Sequence, residues 1–176
     1  VLFASDNGPS TECGHDPAFF RSTGKMRGVK GELFEGSIRV PAVAWWPGTV
    51  PAGPGNDLQW YVGDVPATAA ELAGVPPPAG LDSDSLVSAL KGGEEKDKWK
   101  RKSPLYWESA DGPTAQAVRF GKWKAVRSPA VTGDVRLYDM SNDVGEKSDY
   151  SQRRPDLTRH ATTLLGKHRE PDPPGR

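Results

Sequence analysis

The stretch from Leu105 to Asp139 constrains the fold of this chain most strongly. Four short runs rich in apolar and β-branched residues fill it: Leu105–Glu108, Ala115–Phe120, Trp123–Arg127 and Val135–Asp139. Turn formers cut between them at Gly112-Pro113, Gly121-Lys122 and Gly133-Asp134. Short strands separated by such breaks predict an antiparallel meander, because each turn returns the chain beside the strand it has just left. Gly121-Lys122 predicts a tight hairpin. Pro155 then opens a helix in which Leu157, Ala161, Leu164 and Leu165 fall at i, i+4, i+7 and i+8. That spacing makes one apolar stripe, which can cover one face of the meander. The prediction is a subdomain over residues 103–170, with its helix at 155–168 and an unstructured tail at 171–176.

The front of the chain reads differently. Val1–Ala4 is an apolar run that stops at Ser5-Asp6-Asn7-Gly8, which predicts a buried strand emptying into a loop. Ile38–Trp46 is apolar and rich in β-branched or aromatic residues but is interrupted by Pro41, so a strand with an edge-like or bulged start is expected. Pro47-Gly48 and residues 51–55 make a long turn region. Asp64-Val-Pro66 followed by Ala67–Ala73 and Gly74 predicts a short helix: Pro66 suits its first turn, and Gly74 can take the left-handed position that ends it. Lys91–Lys102 is a mixed charge run, read as a solvated linker. Residues 1–90, 91–102 and 103–170 thus divide the chain. Because an apolar strand starts at residue one, a C-terminal fragment of a longer polypeptide is expected.

Composition excludes several functions. Lys and Arg total 23, balanced by 23 Asp and Glu, so no global field draws the chain to nucleic acid or an anionic membrane. No apolar run approaches the roughly 20 residues that span a bilayer. Cys13 is the single cysteine, which rules out an internal disulfide and a multi-cysteine zinc site.

Few residues remain that could carry chemistry. Asp6 and Asn7 offer a carboxylate and an amide oxygen at a strand end, hard donors suited to calcium or magnesium. Asn7-Gly8 is equally a strong turn signal, so the residues alone leave turn and metal site open. Lys30 stands between Gly28 and Gly31, where little bulk shields its ammonium from a sulfate or phosphate oxygen; a surface lysine would look the same. Arg39 is expected in a structural ion pair with Glu35 or another carboxylate. Cys13 and His15 are near neighbours in a Gly/Pro-rich loop and are not expected to form a nucleophile–base pair. The four tryptophans at 60, 99, 107 and 123 are expected to pack rather than bind.

Longer blocks carry a resemblance. Val1-Leu-Phe-Ala-Ser-Asp-Asn-Gly-Pro9 resembles the strand and Asp-Asn-Gly segment of type I sulfatases. Met26-Arg-Gly-Val-Lys-Gly-Glu-Leu-Phe-Glu-Gly-Ser-Ile-Arg-Val-Pro41 is similar to that family's lysine block, and Trp45-Trp-Pro-Gly48 follows it. Asp64 to Gly74 resembles the family helix. Ala117 to Lys124 and Leu137 to Lys147 resemble its C-terminal subdomain, so the blocks run in order over most of the chain.

The resemblance implies an α/β, alkaline-phosphatase-like fold, with residues 1–90 completing a large mixed sheet and the rest forming a small antiparallel sheet with its helix. It implies a sulfuric ester hydrolase acting on a sulfate-ester small molecule or sulfated carbohydrate. Asp6 and Asn7 fall on ligands of calcium, with magnesium the alternative, and Lys30 falls on the lysine that contacts sulfate. The formylglycine nucleophile arises from a Cys/Ser-x-Pro-x-Arg motif that these residues lack, so the chain alone is expected to be inactive. A periplasmic or extracellular location goes with the same resemblance. Two departures stand out: Ser37 replaces the second glycine of Glu-Gly-Gly, and Ala67 separates Pro66 from Thr68. The alternatives are a phosphoester or phosphonate hydrolase of the same superfamily and a non-catalytic module that binds sulfated glycans.

Overall fold

A computed structural model describes residues 1–53, 55, 57–92, 99–109 and 114–169. The middle of the 91–102 linker, the Gly112-Pro113 break, part of the turn at 51–55 and the tail at 171–176 lie outside the described residues. Packing divides the chain into two units: Val1–Ser5 with Pro41–Ser103, and Asp6–Val40 with Pro104–Arg176. The lysine block thus belongs with the C-terminal sheet.

In the first unit β1 (Leu2–Ala4) pairs antiparallel with β2 (Ala42–Ala44), Phe3 opposite Val43. The expected buried strand is instead exposed, with Phe3 at 64% and Val43 at 59%. No other strand flanks this pair among the described residues, so it stands as a two-stranded sheet. The expected strand over Ile38–Trp46 shrinks to β2. Pro41 offers no N–H for a ladder, and the residues before it are drawn into a helical turn described below. Farther on, α2 (Val65–Ala73) has Pro66 in its first turn and ends at Gly74 with φ 69°, as the sequence predicts. Asp64 is fully buried ahead of it; its carboxylate accepts from the Tyr61 and Asp84 backbone N–H groups and pairs with Arg101. The Thr68 hydroxyl donates to Asp64 O at 2.7 Å and accepts from Leu86 N, tying α2 to the start of α3 (Val87–Lys91). Trp99 donates from Nε1 to Ser85 O at 2.8 Å, and the Arg101 side chain is only 9% exposed. Trp99 and Arg101 are therefore packed into this unit, while Lys100 and Lys102 stay exposed as a solvated linker would have them: charge alone does not keep an arginine in water when a buried carboxylate awaits it.

The second unit holds the predicted meander. Strands β3 (Leu105–Ser109), β4 (Ala115–Phe120), β5 (Trp123–Arg127) and β6 (Val135–Asp139) pair antiparallel in sequence order. Phe120 faces Trp123 across the Gly121-Lys122 hairpin, where Gly121 takes φ 56°. Helix α4 (Pro155–Lys167) ends one residue short of expectation and lays its predicted stripe on one face: Ala161 and Leu165 are fully buried against Val118, Ala125 and Leu137. Burying each leucine or valine of this cluster is worth about 1.5–3 kcal/mol, and each alanine less. The other face is covered as well. Leu33, Phe34 and Ile38 pack on Ala117, Val126, Tyr138 and Met140. The central strands are consequently buried on both sides. No helix among the described residues is long and apolar enough to cross a membrane.

Candidate functional site

The residues around Lys30 fold against the second face of the meander through α1, the single helical turn Glu35–Ile38. Three backbone contacts organise it. Gly36 N donates to Arg27 O at 2.6 Å, Lys30 N donates to Pro9 O at 2.9 Å, and Gly8 N donates to Ser37 O at 2.7 Å. The Asp6–Pro9 loop is therefore laced directly onto the lysine block. Glycine is needed for this approach: a Cβ on Gly8 would lie 2.0 Å from Gly36 O, and one on Gly36 would lie 2.5 Å from Gly28 O. The departure at Ser37 is easily accommodated. Its side chain is buried and its hydroxyl reaches Glu32 O at 2.7 Å and Phe34 O at 3.0 Å, and its φ is not positive.

A buried charge cluster fixes α1 to the sheet. Lys124 on β5 has no exposed surface, and its Nζ lies 3.1 Å from Glu35 Oε1 and 2.9 Å from Glu146 Oε1. Glu146 Oε2 accepts from Glu35 N at 2.7 Å, satisfying an N–H at the start of the turn. Arg119 stands 3.7 Å from Glu35. Burial pushes the Glu146 carboxyl above its ordinary range, with Lys124 opposing that shift. Arg39, expected in an ion pair with Glu35 or another carboxylate, donates its backbone N–H to Glu35 O at 2.7 Å, and the Glu35 carboxylate itself is met by Lys124 and Arg119.

The three predicted site residues all lie in this unit. Asp6 and Lys30 are exposed, and Asn7 is half-buried. The Lys30 ammonium meets Glu12 Oε2 at 2.9 Å. This hydrogen bond, first among the causes, holds Lys30 above its usual range, and the field of Asp6 acts in the same direction. Glu12 is correspondingly held low by Lys30, with Ser10 contributing. A carboxylate thus occupies the position where the lysine would meet an anion. Asp6 and Asn7 supply hard oxygen donors that fit calcium or magnesium in kind. Their number falls short of a shell of six to eight oxygens, and no group of three or more His, Cys, Asp or Glu able to hold a metal occurs among the described residues. Cys13 is exposed, and His15 stacks on Phe20 at 5.1 Å with its Nε2 3.3 Å from Ser22 Oγ, so the two make no nucleophile–base pair.

Sequence reasoning missed Glu12 and Lys124. Nothing in the pattern singles out Glu12, an acid in an irregular loop. Lys124 did leave a trace, because Trp123 and Ala125 face α4 while Lys124 and Val126 alternate onto the opposite, covered face.

Comparison with known proteins now adds what geometry cannot. Solved structures superpose on the chain: that of Ps i-CgsB covers 95% of it at a TM-score of 0.76 and 26% identity, its complex with k-i-k-neocarrahexaose gives 0.77 at the same identity, and a structure described as a putative sulfatase from Bacteroides thetaiotaomicron covers 96% at 0.71 and 21% identity. The class is therefore an alkaline-phosphatase-like sulfatase fold, of which this chain carries the C-terminal part. The family model described as "N-sulphoglucosamine sulphohydrolase, C-terminal" matches residues 29–166, and the chain belongs to that family. Canine N-acetylgalactosamine-6-sulfatase is 35% identical over 127 residues, 71% of this chain, and human arylsulfatase A is 36% identical over 169 residues, 83% of this chain. The chain spans 23% and 32% of the lengths of those two relatives.

Proposed function

We propose that the protein to which this chain belongs hydrolyses sulfate esters, with Lys30 contacting the sulfate and Asp6 and Asn7 holding a calcium ion. The observation that carries this reading is the pair of backbone bonds, Gly8 N to Ser37 O and Lys30 N to Pro9 O, that holds the Asp6–Asn7 loop against the lysine block. Donors for a cation and a cation for an anion are thereby fixed in one unit. Lys30 exchanges its Glu12 contact for the sulfuryl oxygens and offsets the charge that builds there. Asp6 contributes the negative charge a divalent cation requires, and Asn7 adds an oxygen without repelling an anionic substrate. A cation bound there supplies Lewis-acid polarisation of a sulfate oxygen. The nucleophile, a formylglycine by resemblance, is not among these residues. A sulfated carbohydrate is the favoured substrate, in keeping with relatives named for N-acetylgalactosamine-6-sulfate and with the i-CgsB complex. A periplasmic or extracellular site of action belongs to the same reading.

The test is a calcium titration of aryl sulfate turnover in the full-length enzyme, with bound metal measured in parallel. Asp6→Ala should lose metal and recover partly with added calcium, and Asn7→Ala should do so more mildly. Lys30→Ala should keep its metal and lose turnover about 10²–10³-fold, the scale of one transition-state donor. Near-normal turnover in Lys30→Ala would return Lys30 to the status of a surface lysine. Preference for an aryl phosphate would favour the phosphoester alternative.

A further inference from the structure

A second site with the character of an anion receptor lies on the same unit. A cleft of about 440 Å³ opens between the Lys25–Arg27 segment and the Gly145–Asp149 loop, with Arg136 and Tyr138 of β6 at its base. That volume falls within the range of small-ligand sites. Four cations line it: Lys25, Arg27, Arg136 and Lys147. None of the four forms a salt bridge with a described carboxylate, although Lys30, Arg101, Lys122, Lys124, Arg154 and Arg169 all do. In a chain whose charges balance at 23 against 23, this is a local surplus. The two acids of the cleft offset only part of it: Glu146 turns its carboxylate inward to Lys124, and Asp149, whose Oδ1 accepts from Leu137 N at 3.1 Å and Ser151 N at 2.8 Å, sets one negative charge in the field of Arg136 against four cations.

One of the four cations is also held in place. Arg27 lies over the Phe34 ring at 3.8 Å and reaches Glu146 O at 3.4 Å, and its own carbonyl accepts from Gly36 N. A cation held in place loses less entropy on binding than a free one. Tyr138 is 2% exposed beneath them, and Arg27 and Arg136 both bear on its hydroxyl. Position matters too. Arg27 and Lys30 are three residues apart, so their Cα atoms are separated by at most about 11 Å. Both belong to the segment that packs on the face of the meander opposite α4.

We propose that this cleft is a second anion site, which takes a further sulfate or carboxylate group of a sulfated oligosaccharide whose scissile ester lies at Lys30. The proposal rests on the sulfatase reading above and deepens it: the substrate carries more than one negative group, and affinity comes largely from the group that is not cleaved.

The experiment measures binding of a heparin-derived tetrasaccharide to the full-length protein by calorimetry, with inorganic sulfate and uncharged maltotetraose as comparison ligands. Arg136→Glu/Lys147→Glu reverses two exposed side chains of the cleft. Arg159→Glu/Lys167→Glu reverses two exposed side chains on α4, on the far face of the sheet. The tetrasaccharide is expected to bind the parent chain, weakly for inorganic sulfate and undetectably for maltotetraose. The cleft pair should weaken it at least tenfold, and the α4 pair less than twofold. Lys25→Ala, a milder change at the same cleft, should weaken it about threefold. No binding to the parent chain, an unchanged cleft pair, or equal losses in both pairs would overturn the proposal. Turnover of full-length Lys30→Ala separates this outcome from failure of the sulfatase reading, because oligosaccharide binding in the cleft does not depend on Lys30 acting in catalysis.

Discussion

Lys124→Met tests whether the buried charge cluster joins the lysine block to the sheet. The substitution keeps the length of the aliphatic stem and removes the one cation that touches both Glu35 and Glu146. Glu35 retains Arg119 at 3.7 Å, while Glu146, 1% exposed, loses the ammonium that lies 2.9 Å from its Oε1 and is left as a buried carboxylate. Breaking a buried pair in this way costs about 3–5 kcal/mol. Amide hydrogen exchange in the central strands β4 and β5 reads the opening of this sheet, and that cost corresponds to acceleration by about 10²–10⁴-fold. Adding Glu146→Gln removes the stranded charge, so the double variant should exchange more slowly than Lys124→Met alone. The pH dependence has a definite sign. Burial raises the folded pKa of Glu146 above 4.5, so its contribution to stability is present below 4.5 and is lost as pH rises through the folded value. The defect of Lys124→Met should therefore be largest near neutrality and shrink as pH falls toward the ordinary carboxylate range, because protonation removes the stranded charge. Acceleration below tenfold, or a double variant less stable than the single, would refute the argument that an uncompensated buried charge is what the lysine prevents.

Gly8→Ala places a Cβ 2.0 Å from Gly36 O, so the Gly8 N to Ser37 O bond must break. A cost of about 1–3 kcal/mol is expected from overpacking, together with loss of exchange protection at Gly8 and Lys30; protection unchanged from the parent would show that the two loops are not interlocked. Tyr106 is pushed up to about 12 by burial and by the hydrogen bond its hydroxyl donates to Glu108 Oε2 at 2.5 Å. A raised pKa adds stability below pH 10 that is lost as pH rises through about 12. Burial also raises Tyr61 and Tyr138, so ultraviolet titration should be read at its last step, an ionisation at about pH 12 that Glu108→Gln brings down and Tyr106→Phe removes; a step at about 12 that survives Tyr106→Phe would assign it elsewhere.

What the sequence determined is what local chemistry can encode. Strand periodicity and Gly/Pro breaks marked β3 to β6 and the Gly121-Lys122 hairpin, and the stripe on Pro155–Lys167 named the residues that reach the sheet. The family resemblance is carried by five short blocks in order, from Val1–Pro9 to Leu137–Lys147, which are legible in the sequence alone. Tertiary structure decided the rest. Ile38 reads as strand in its own neighbourhood, yet Glu35–Ile38 is a helical turn, since Glu146 N–H acceptance, Lys124 and the Gly36–Arg27 approach come from residues far away in sequence. Arg101 reads as a solvated linker residue, yet the buried carboxylate of Asp64 draws it in. Lys30 reads as unshielded, yet Glu12 occupies it. In each case the deciding partner is a charge or a carbonyl supplied by another segment, and the strength of such a contact depends on burial and distance, which no local window of residues contains.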